Sequence, residues 1–461
     1  MDNLWTIETL KSLLVELRDS GQIRDWVVHV EHLHRRERYF LSEASHAFSI
    51  DQDRETNQQG IALRLLVDLK EKVGKQGEVY KKLTLNQSLS AQVERAIASA
   101  MQTESDFWTL PSQLPTDVPE VESFDPQIAE DIEGALRLLT LEIEKCATRT
   151  RSAKFSSSEL FLSVIDRETH FSFGRVHRHR QTRVYLEAAF SASAQQQNGE
   201  LLSDEFLGTR WSVALDPSSV EQLFDEVAEN ATHMLQVETP VAGEYSVIVD
   251  SEVLLRVLNE HLSQLSGANI YHHLPHVSPG QELIPGAEGD LLTLTIDPTV
   301  RMGADTTALS DDGFIQKPIT LVEANRVVAS LVGGQYSQYL GVPATTTRGT
   351  VVVSPGSLSY EEMRQSAPKV LEVLQFSGLF ADGNSGTFSS EIRLARLHDR
   401  ESAKSVYLKG GALSASVLEN FKGLRLSQEL VHRQHFESGQ PGGEGYLGPR
   451  YALLTGVSVA V

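Results

Sequence analysis

The chain has 461 residues, 40% of them hydrophobic and 22% charged, enough for about two or three domains that fold without disulfides. Its 41 Lys and Arg residues stand against 62 Asp and Glu residues, and the formal charge of -21 argues against nucleic acid or an anionic membrane as a partner. The single cysteine, Cys146, excludes an intrachain disulfide and a thiolate zinc cluster. Because residues 1–20 do not resemble a secretory signal and no apolar stretch reaches roughly 18 residues, we expect a soluble, cytoplasmic protein.

Residues 1–110 are predicted to form an N-terminal α/β subdomain. Leucines at helical spacing indicate an opening helix that ends near Gly21. A second helix is expected at residues 90–101, with Ser88 or Ser90 as its cap. Between the helices, strands are expected around the charged run 32–38, which we interpret as a solvated strand face. The predicted strands are residues 26–30, 39–41 and 61–66.

Residues 111–126 are predicted to form a connector, because four prolines there disfavour both helices and central strands. Residues 127–240 are expected to form a second α/β subdomain of the N-terminal region. An apolar stripe over residues 128–146 predicts one helix, in which Cys146 belongs to the core. After Pro240 the chain becomes richer in Gly and Thr, and residues 241–461 are predicted as a mainly β C-terminal domain. The predicted fold class is therefore α+β, with N-terminal α/β layers before a mainly β domain.

The absence of several motifs excludes common enzyme classes. None of the 15 histidines is followed directly by Glu, so a His-Glu-x-x-His zinc helix is impossible. The Gly-x-Ser-x-Gly elbow of serine hydrolases and the Gly-x-x-x-x-Gly-Lys phosphate loop are also absent.

Two groups of histidines are candidates for a binding site. His272, His273 and His276 lie in a loop with Pro275, where neutral imidazoles could take a metal although no carboxylate is fixed beside them. The other group alternates with arginines over residues 175–183, and period-two spacing places its odd-numbered members on one strand face. Because guanidinium charges oppose a cation, we predict a solvated or partner-facing basic patch there, suited to an acidic peptide or subunit.

Several short segments occur in an order that is more specific than any one of them. In the C-terminal half they are Tyr245-Ser-Val-Ile-Val-Asp250, Leu294-Thr-Ile-Asp-Pro298, Asp311-Asp-Gly313, Gly341-Val-Pro-Ala-Thr-Thr346, Val353-Ser-Pro-Gly-Ser-Leu-Ser359 and Ser438-Gly-Gln440. Upstream they are Arg95-Ala-Ile-Ala-Ser-Ala100 and Trp108-Thr-Leu-Pro111. In this order they resemble the TldD/PmbA family over nearly the whole chain. The resemblance implies a two-domain TldD/PmbA-like architecture that pairs around an enclosed chamber.

The resemblance also implies where a zinc site would lie. In TldD-like members a helix carries His-Glu-x-x-x-His, and a Cys near the C-terminus completes the site. Alignment places Arg256 at the first His, Val257 at the Glu and His261 at the second His, while His435 takes the Cys position. Arg256 is a fixed cation and Val257 cannot activate water, so we predict no catalytic residue, no metal site and no cofactor in this chain. The pattern is similar to the PmbA/TldE-like branch, which lacks the zinc motif.

The function implied is the non-catalytic subunit of a cytosolic TldD/PmbA-type zinc peptidase complex. Such a subunit would enclose and position an unfolded or precursor peptide, while a TldD-like partner in a heterodimer supplies the zinc for its maturation or degradation. Two alternatives stay open: a metallopeptidase or peptide-modifying enzyme with a rebuilt histidine site, or a homodimeric peptide-binding module. The candidate ligands of a rebuilt site are His261, His272, His273, His276 and His435.

Overall fold

The computed structural model describes residues 5–42, 48–195, 201–436 and 442–461 of the chain. The segment Ser438-Gly-Gln440, which carries part of the sequence resemblance, lies outside the described residues. The N-terminal elements are, in chain order, α1 (Ile7–Asp19), β1 (Asp25–Leu41), β2 (Ser49–Asp68), β3 (Lys75–Leu83), α2 (Leu89–Ala100), β4 (Ser105–Asp106), α3 (Pro126–Glu130), α4 (Ile132–Thr148), β5 (Lys154–Phe171), β6 (Val176–Gln195), β7 (Leu201–Ser212) and α5 (Ser218–His233).

These strands form one antiparallel sheet in the order β4-β3-β2-β1-β5-β6-β7. β1 and β5 pair from Val27 opposite Phe171 to Leu41 opposite Ser157, so segments 1–110 and 127–240 contribute to the same sheet. Successive side chains of a strand point to opposite faces, and the even-numbered apolar residues of β1 and β5 pack beneath the helices. The odd-numbered face is turned toward the C-terminal region.

Capping side chains explain where the N-terminal helices begin and break. Thr6 and Ser88 accept hydrogen bonds at the starts of α1 and α2, and Ser88 is one of the two caps predicted for the second helix. The single helix predicted over residues 128–146 is wrong, because the structure interrupts it at Asp131 (φ -142°, ψ 73°) between α3 and α4. The Asp131 carboxylate accepts a hydrogen bond from the Gly134 N–H at 2.8 Å, a capping role that aspartate prefers to a helix interior. Cys146 is buried in the core of α4, as predicted.

The C-terminal region is mainly β, as predicted. Its elements are, in chain order, β8 (Val237–Glu238), β9 (Gly243–Asp250), α6 (Ser251–Leu262), α7 (Gly267–Tyr271), β10 (Leu294–Asp297), β11 (Ile319–Glu323), β12 (Arg326–Val327), α8 (Gly334–Leu340), β13 (Thr350–Val353), α9 (Tyr360–Arg364), β14 (Lys369–Asp382), β15 (Thr387–Asp399), β16 (Lys404–Leu408), β17 (Ala412–Ser416), α10 (Val417–Asn420), β18 (Arg425–Leu426), β19 (Leu430–His435), β20 (Glu444–Pro449) and β21 (Tyr451–Ala460). None of the helices in the described part of the chain is long and apolar enough to cross a bilayer.

Two sheets share one hydrophobic core in this region. The six-stranded sheet has the order β12-β11-β10-β13-β20-β19, and the eight-stranded sheet runs β14-β9-β21-β17-β15-β16-β8 with β18 on β21. Because β14 also pairs with β15, five strands of the larger sheet close into a ring. Leu254 and Leu258 place the apolar face of α6 in the core with residues of both sheets, which fixes the orientation of that helix.

Polar contacts hold the N-terminal sheet against the C-terminal region. Arg64 of β2 forms ion pairs with Glu78 of the neighbouring β3 and with Asp312, which precedes β11. The hydroxyl of Tyr339 in α8 donates a hydrogen bond to the carbonyl oxygen of Asp106 in β4 at 2.7 Å. The two regions therefore meet through specific partners as well as apolar surface.

Candidate functional site

A cavity of about 710 Å³ lies between the two regions, a size in the roughly 300 to 1,000 Å³ range of ligand sites. The N-terminal region contributes residues of β7 and α5, and the C-terminal region contributes residues of α6, β14 and β19. Gln375 of β14 joins the two sides, because its Nε2 donates a hydrogen bond to the carbonyl oxygen of Leu207 in β7 at 2.7 Å. The cavity therefore depends on how the two regions dock.

Helix α6 begins at this cavity. The Asp250 carboxylate caps the helix and accepts hydrogen bonds from the N–H groups of Glu252 and Val253 at 3.1 and 3.2 Å. Burial, with the neighbouring charge of Glu252, raises the pKa of Asp250 to about 6. Arg433 of β19 reaches the same helix end, where its Nε donates a hydrogen bond to the Ser251 Oγ at 3.3 Å. The start of α6 and β19 thus form one polar corner of the cavity.

Arg256 lies farther along α6 and lines the same cavity. Its side chain is half-buried, and it makes no hydrogen bond or ion pair with any residue that the structure describes. A cation therefore occupies the position that aligns with the first zinc-ligating histidine of TldD-like proteins. A zinc ion would be repelled there, so this position does not fit the metal.

Val257, at the position that aligns with the motif glutamate, is 2% exposed and belongs to the C-terminal hydrophobic core. The next residue, Leu258, packs into the same core, so this side of α6 is held by packing rather than by a ligand. Neither the residue type nor its surroundings can supply a base for water activation.

His261, at the position of the second zinc histidine, lines a different cavity, of about 490 Å³, together with His276. Its Nδ1 lies 3.5 Å from the Gln264 Nε2, and its buried Nε2 has no hydrogen-bond partner among the described residues. Burial lowers the pKa of His261. The Gln264 Oε1 accepts a hydrogen bond from the His276 N–H at 2.9 Å, which brings these two predicted candidates to one place.

The other predicted histidines lie elsewhere. His272 and His273 are exposed just beyond α7, and His273 has a φ of 59°. His435 lines the 710 Å³ cavity, where its ring centroid lies 6.3 Å from that of Trp211. The histidines at positions 261 and 435 thus line different cavities. Across the described ranges, no three His, Cys, Asp or Glu side chains are placed to hold a metal ion.

A row of aromatic side chains leads from the cavity across the N-terminal sheet. Ring centroids are separated by 4.5 Å from Trp211 to Tyr185, by 5.1 Å from Tyr185 to Phe161 and by 5.4 Å from Phe161 to Tyr39. All four side chains are half-buried and lie on β7, β6, β5 and β1 in turn. Sequence analysis missed this row because it becomes visible only when the strand register is known. The charged run 32–38 lies in β1 beside it and is mostly half-buried rather than solvated.

The odd-numbered face of the basic strand is mostly covered by the C-terminal region, which corrects the prediction of a solvated or partner-facing patch, although Arg175 at its end is exposed. His177 and His179 line a small cavity with Asp305 and Asp311 of the C-terminal region. Burial lowers the pKa of His179 to about 3, so the ring is neutral at ordinary pH. Arg183, on the same face, is 6% exposed. These residues belong to the contact between the two regions of the chain.

The outer face of the same strand carries exposed ion pairs. Arg178 Nε lies 2.8 Å from Glu168 Oε1, and Arg180 Nε lies 2.6 Å from Asp166 Oδ1. These arginines balance carboxylates of the neighbouring β5.

Comparison with known proteins finds similar domains and folds. Residues 242–441 match the PmbA/TldA metallopeptidase C-terminal domain. A metalloprotease of Methanothermobacter thermautotrophicus is 24% identical over 336 residues, which cover 68% of this chain and 67% of that protein. The crystal structure of TldE from Thermococcus kodakarensis is similar with a TM-score of 0.76 and 14% identity, over 98% of this chain and 100% of that one. A suggested modulator of DNA gyrase from Bacteroides thetaiotaomicron has a TM-score of 0.73 and 15% identity, over 99% of both chains.

The matched domain and the shared fold define a metallopeptidase-like class of two-region proteins. The match of residues 242–441 to the PmbA/TldA C-terminal domain confirms the resemblance to the TldD/PmbA family seen in the sequence. The predicted α+β fold is confirmed as well, because the TldE-like fold covers the whole chain.

Proposed function

We propose that this chain is the non-catalytic subunit of a cytosolic TldD/PmbA-type peptidase complex, of the PmbA/TldE-like branch. Arg256 carries the proposal, because a cation lines the cavity where a catalytic relative would hold a zinc ligand. The burial of Val257 supports it further, since no base replaces the motif glutamate. A TldD-like partner would then supply the zinc and the hydrolysis.

The role of this chain in the complex is to hold an unfolded or precursor peptide. The cavity is open to a side chain or chain end, and the aromatic row beyond Trp211 offers half-buried surface to apolar side chains. An extended peptide suits such a surface better than a folded domain, because its side chains alternate along a line. The peptide is then presented to the zinc of the partner.

The complex is proposed to be a heterodimer in the cytoplasm. An obligate pair of this kind buries well over the roughly 1,600 Å² of a standard interface. The lone, buried thiol of Cys146 suits a reducing compartment, where no disulfide is needed.

Co-expression tests this proposal. The chain is purified alone, and together with a TldD-like chain that carries His-Glu-x-x-x-His from the same genome. We expect the chain alone to hold substoichiometric zinc, to cleave no unfolded peptide and to keep its melting temperature in a chelator. The pair should form a dimer by light scattering, hold zinc and cleave the peptide. A control pair, whose partner motif carries glutamine for glutamate, should bind peptide without cleaving it.

The same measurements separate the alternatives. One equivalent of tightly held zinc in the lone chain, together with cleavage, would favour a rebuilt histidine site and contradict the proposal. If the chain forms a homodimer that binds peptide and does not associate with the TldD-like chain, the result would favour the alternative of a homodimeric peptide-binding module. His261 and His276 are the pair to replace with alanine if zinc is found, because they line one cavity.

A further inference from the structure

We infer that the 710 Å³ cavity binds a carboxylate group of the peptide, and that the Arg256 guanidinium is its principal partner. The inference rests on the proposed peptide-holding function and names the chemical group that is held. A peptide can present that group as its C-terminal carboxylate or as an Asp or Glu side chain. Both sources share the same planar, anionic chemistry.

The state of Arg256 is the first argument. Its half-buried guanidinium has given up part of its hydration, yet no described residue pairs with it. A guanidinium offers a rigid fork of N–H donors that matches the two oxygens of a carboxylate. A cavity-lining arginine without a partner is therefore suited to a bidentate contact with an incoming acid.

The other arginines of the cavity strengthen this attraction. Among the described residues, Arg433 forms a hydrogen bond only with the neutral Ser251 hydroxyl, at 3.3 Å. Burial, and then the charge of Arg433, lower the pKa of Arg210, which indicates that these two cations crowd each other. Arg450 also lines the cavity, but its Nη1 is paired with Glu429 at 2.8 Å. A bound anion would reduce the repulsion between Arg433 and Arg210.

The acidic residues around the cavity are mostly engaged within the chain. They are Asp216, Glu226, Asp250 and Glu252. The Asp216 carboxylate accepts a hydrogen bond from the Ser218 N–H at 3.0 Å, and that of Asp250 caps α6. Glu226 lies 3.7 Å from Arg210, and Glu252 is exposed in the first turn of α6. Four arginines line the cavity, Arg210, Arg256, Arg433 and Arg450, and their charges balance those of the four acids. The whole chain, by contrast, carries a formal charge of -21. An incoming carboxylate therefore meets little repulsion at the cavity.

Calorimetric titration of the full-length chain tests the inference with three matched peptides. The first is acetyl-Ala-Leu-Ala-Leu-Ala with a free carboxylate, the second is its C-terminal amide, and the third is acetyl-Ala-Leu-Glu-Leu-Ala amide. We expect the free acid or the Glu peptide to bind about tenfold more tightly than the neutral amide, as one charge-assisted pair provides. Whichever acidic peptide is preferred identifies the source of the carboxylate.

Arg256→Met should remove that preference and leave the affinity for the neutral amide unchanged, and Arg433→Gln should reduce the preference. Arg137→Met is the matched control, because Arg137 lies exposed on α4 and does not line the cavity. Melting temperatures check that each variant is folded. Equal binding of acid and amide by the wild type would overturn the inference while peptide holding survives. If no peptide binds, both the inference and the proposed peptide-holding role fail.

Discussion

The guanidinium of Arg183 lies 4.5 Å from the centroid of the Phe436 ring, a contact that joins β6 of the N-terminal sheet to the end of β19 in the C-terminal region. Phe436 is 1% exposed and packs in a small cluster with Val213 and Ala304, again from both regions. Its ring also meets Trp211 edge-on at 5.5 Å, and Trp211 lines the candidate cavity. The shape of the cavity is thus coupled to the packing of this one phenylalanine.

Phe436→Ala should therefore lower the free energy of unfolding by about 3 to 5 kcal/mol, the usual cost of emptying a buried aromatic site. Urea unfolding measures the change. Phe380→Ala, at a side chain that is 76% exposed, is the matched control and should stay within about 0.5 kcal/mol. A change at position 436 as small as at position 380 would show that the two regions are not joined through this ring.

Asp250→Asn should change how stability depends on pH. Burial raises the pKa of Asp250 in the folded chain to about 6, above the value of about 4 expected when unfolded. Between these values the folded state holds a proton that the unfolded state has released, so the contribution of Asp250 to stability falls as pH rises from about 4 to 6. Asparagine can still cap α6 and does not titrate.

The unfolding free energy of the Asn variant minus that of the wild type should thus rise by about 1 to 3 kcal/mol between pH 4 and pH 7. Urea titrations at four pH values give this difference, in which the other titrating groups cancel. A flat difference would mean that the carboxylate is solvated in the folded chain.

Glu372→Gln should weaken the C-terminal sheet. The Glu372 carboxylate is buried in β14, lies 2.8 Å from the His398 Nε2 and forms an ion pair with Arg396 at 2.8 Å. Burial alone would raise the pKa of Glu372, but these two partners lower it below its usual value. The variant should lose about 2 to 4 kcal/mol of unfolding free energy at pH 7, because Arg396 and His398 remain in position without the carboxylate charge that they bind.

Because the pKa of Glu372 is lowered on folding, its stabilising contribution exists above the unfolded pKa of about 4.3 and is lost as pH falls through the folded value. The gap in stability between wild type and Glu372→Gln should therefore narrow below about pH 4. Glu361→Gln, at an exposed pair on α9, serves as the control. An equal loss in both variants at pH 7 would contradict the role given to the buried site.

The outer arginines of β6 should contribute little. Arg178→Ser with Arg180→Ser breaks two exposed ion pairs and should change the unfolding free energy by less than about 1 kcal/mol. Arg64→Met, by contrast, removes the ion pair with Asp312 that connects the regions and the ion pair with Glu78 of β3, and should cost about 3 kcal/mol or more. Thermal unfolding of both variants measures the two changes in unfolding free energy. A loss in the double serine variant as large as in Arg64→Met would contradict the small contribution assigned to the outer ion pairs of β6.

The amino-acid sequence by itself determined the local features of this protein. Apolar spacing placed α1 and α2, and the rise in Gly and Thr after Pro240 indicated a mainly β region. The order of short segments indicated the resemblance to the TldD/PmbA family, which the match of residues 242–441 confirms. One helix was predicted wrongly, since a single capping side chain at Asp131 outweighed a continuous apolar stripe.

Only the tertiary structure decided which residues meet. Sequence alignment placed Arg256, His261 and His435 at one aligned site, but His261 lines a cavity formed within the C-terminal region, whereas Arg256 and His435 line the cavity between the two regions. The aromatic row depends on the register of four strands, and the buried side of the basic strand depends on the C-terminal loops that cover it. Some of these contacts join residues more than 100 positions apart, such as Tyr39 with Phe161 and His179 with Asp305. Packing and desolvation between distant parts of the chain decide which residues meet. Local periodicity in the sequence does not encode these effects.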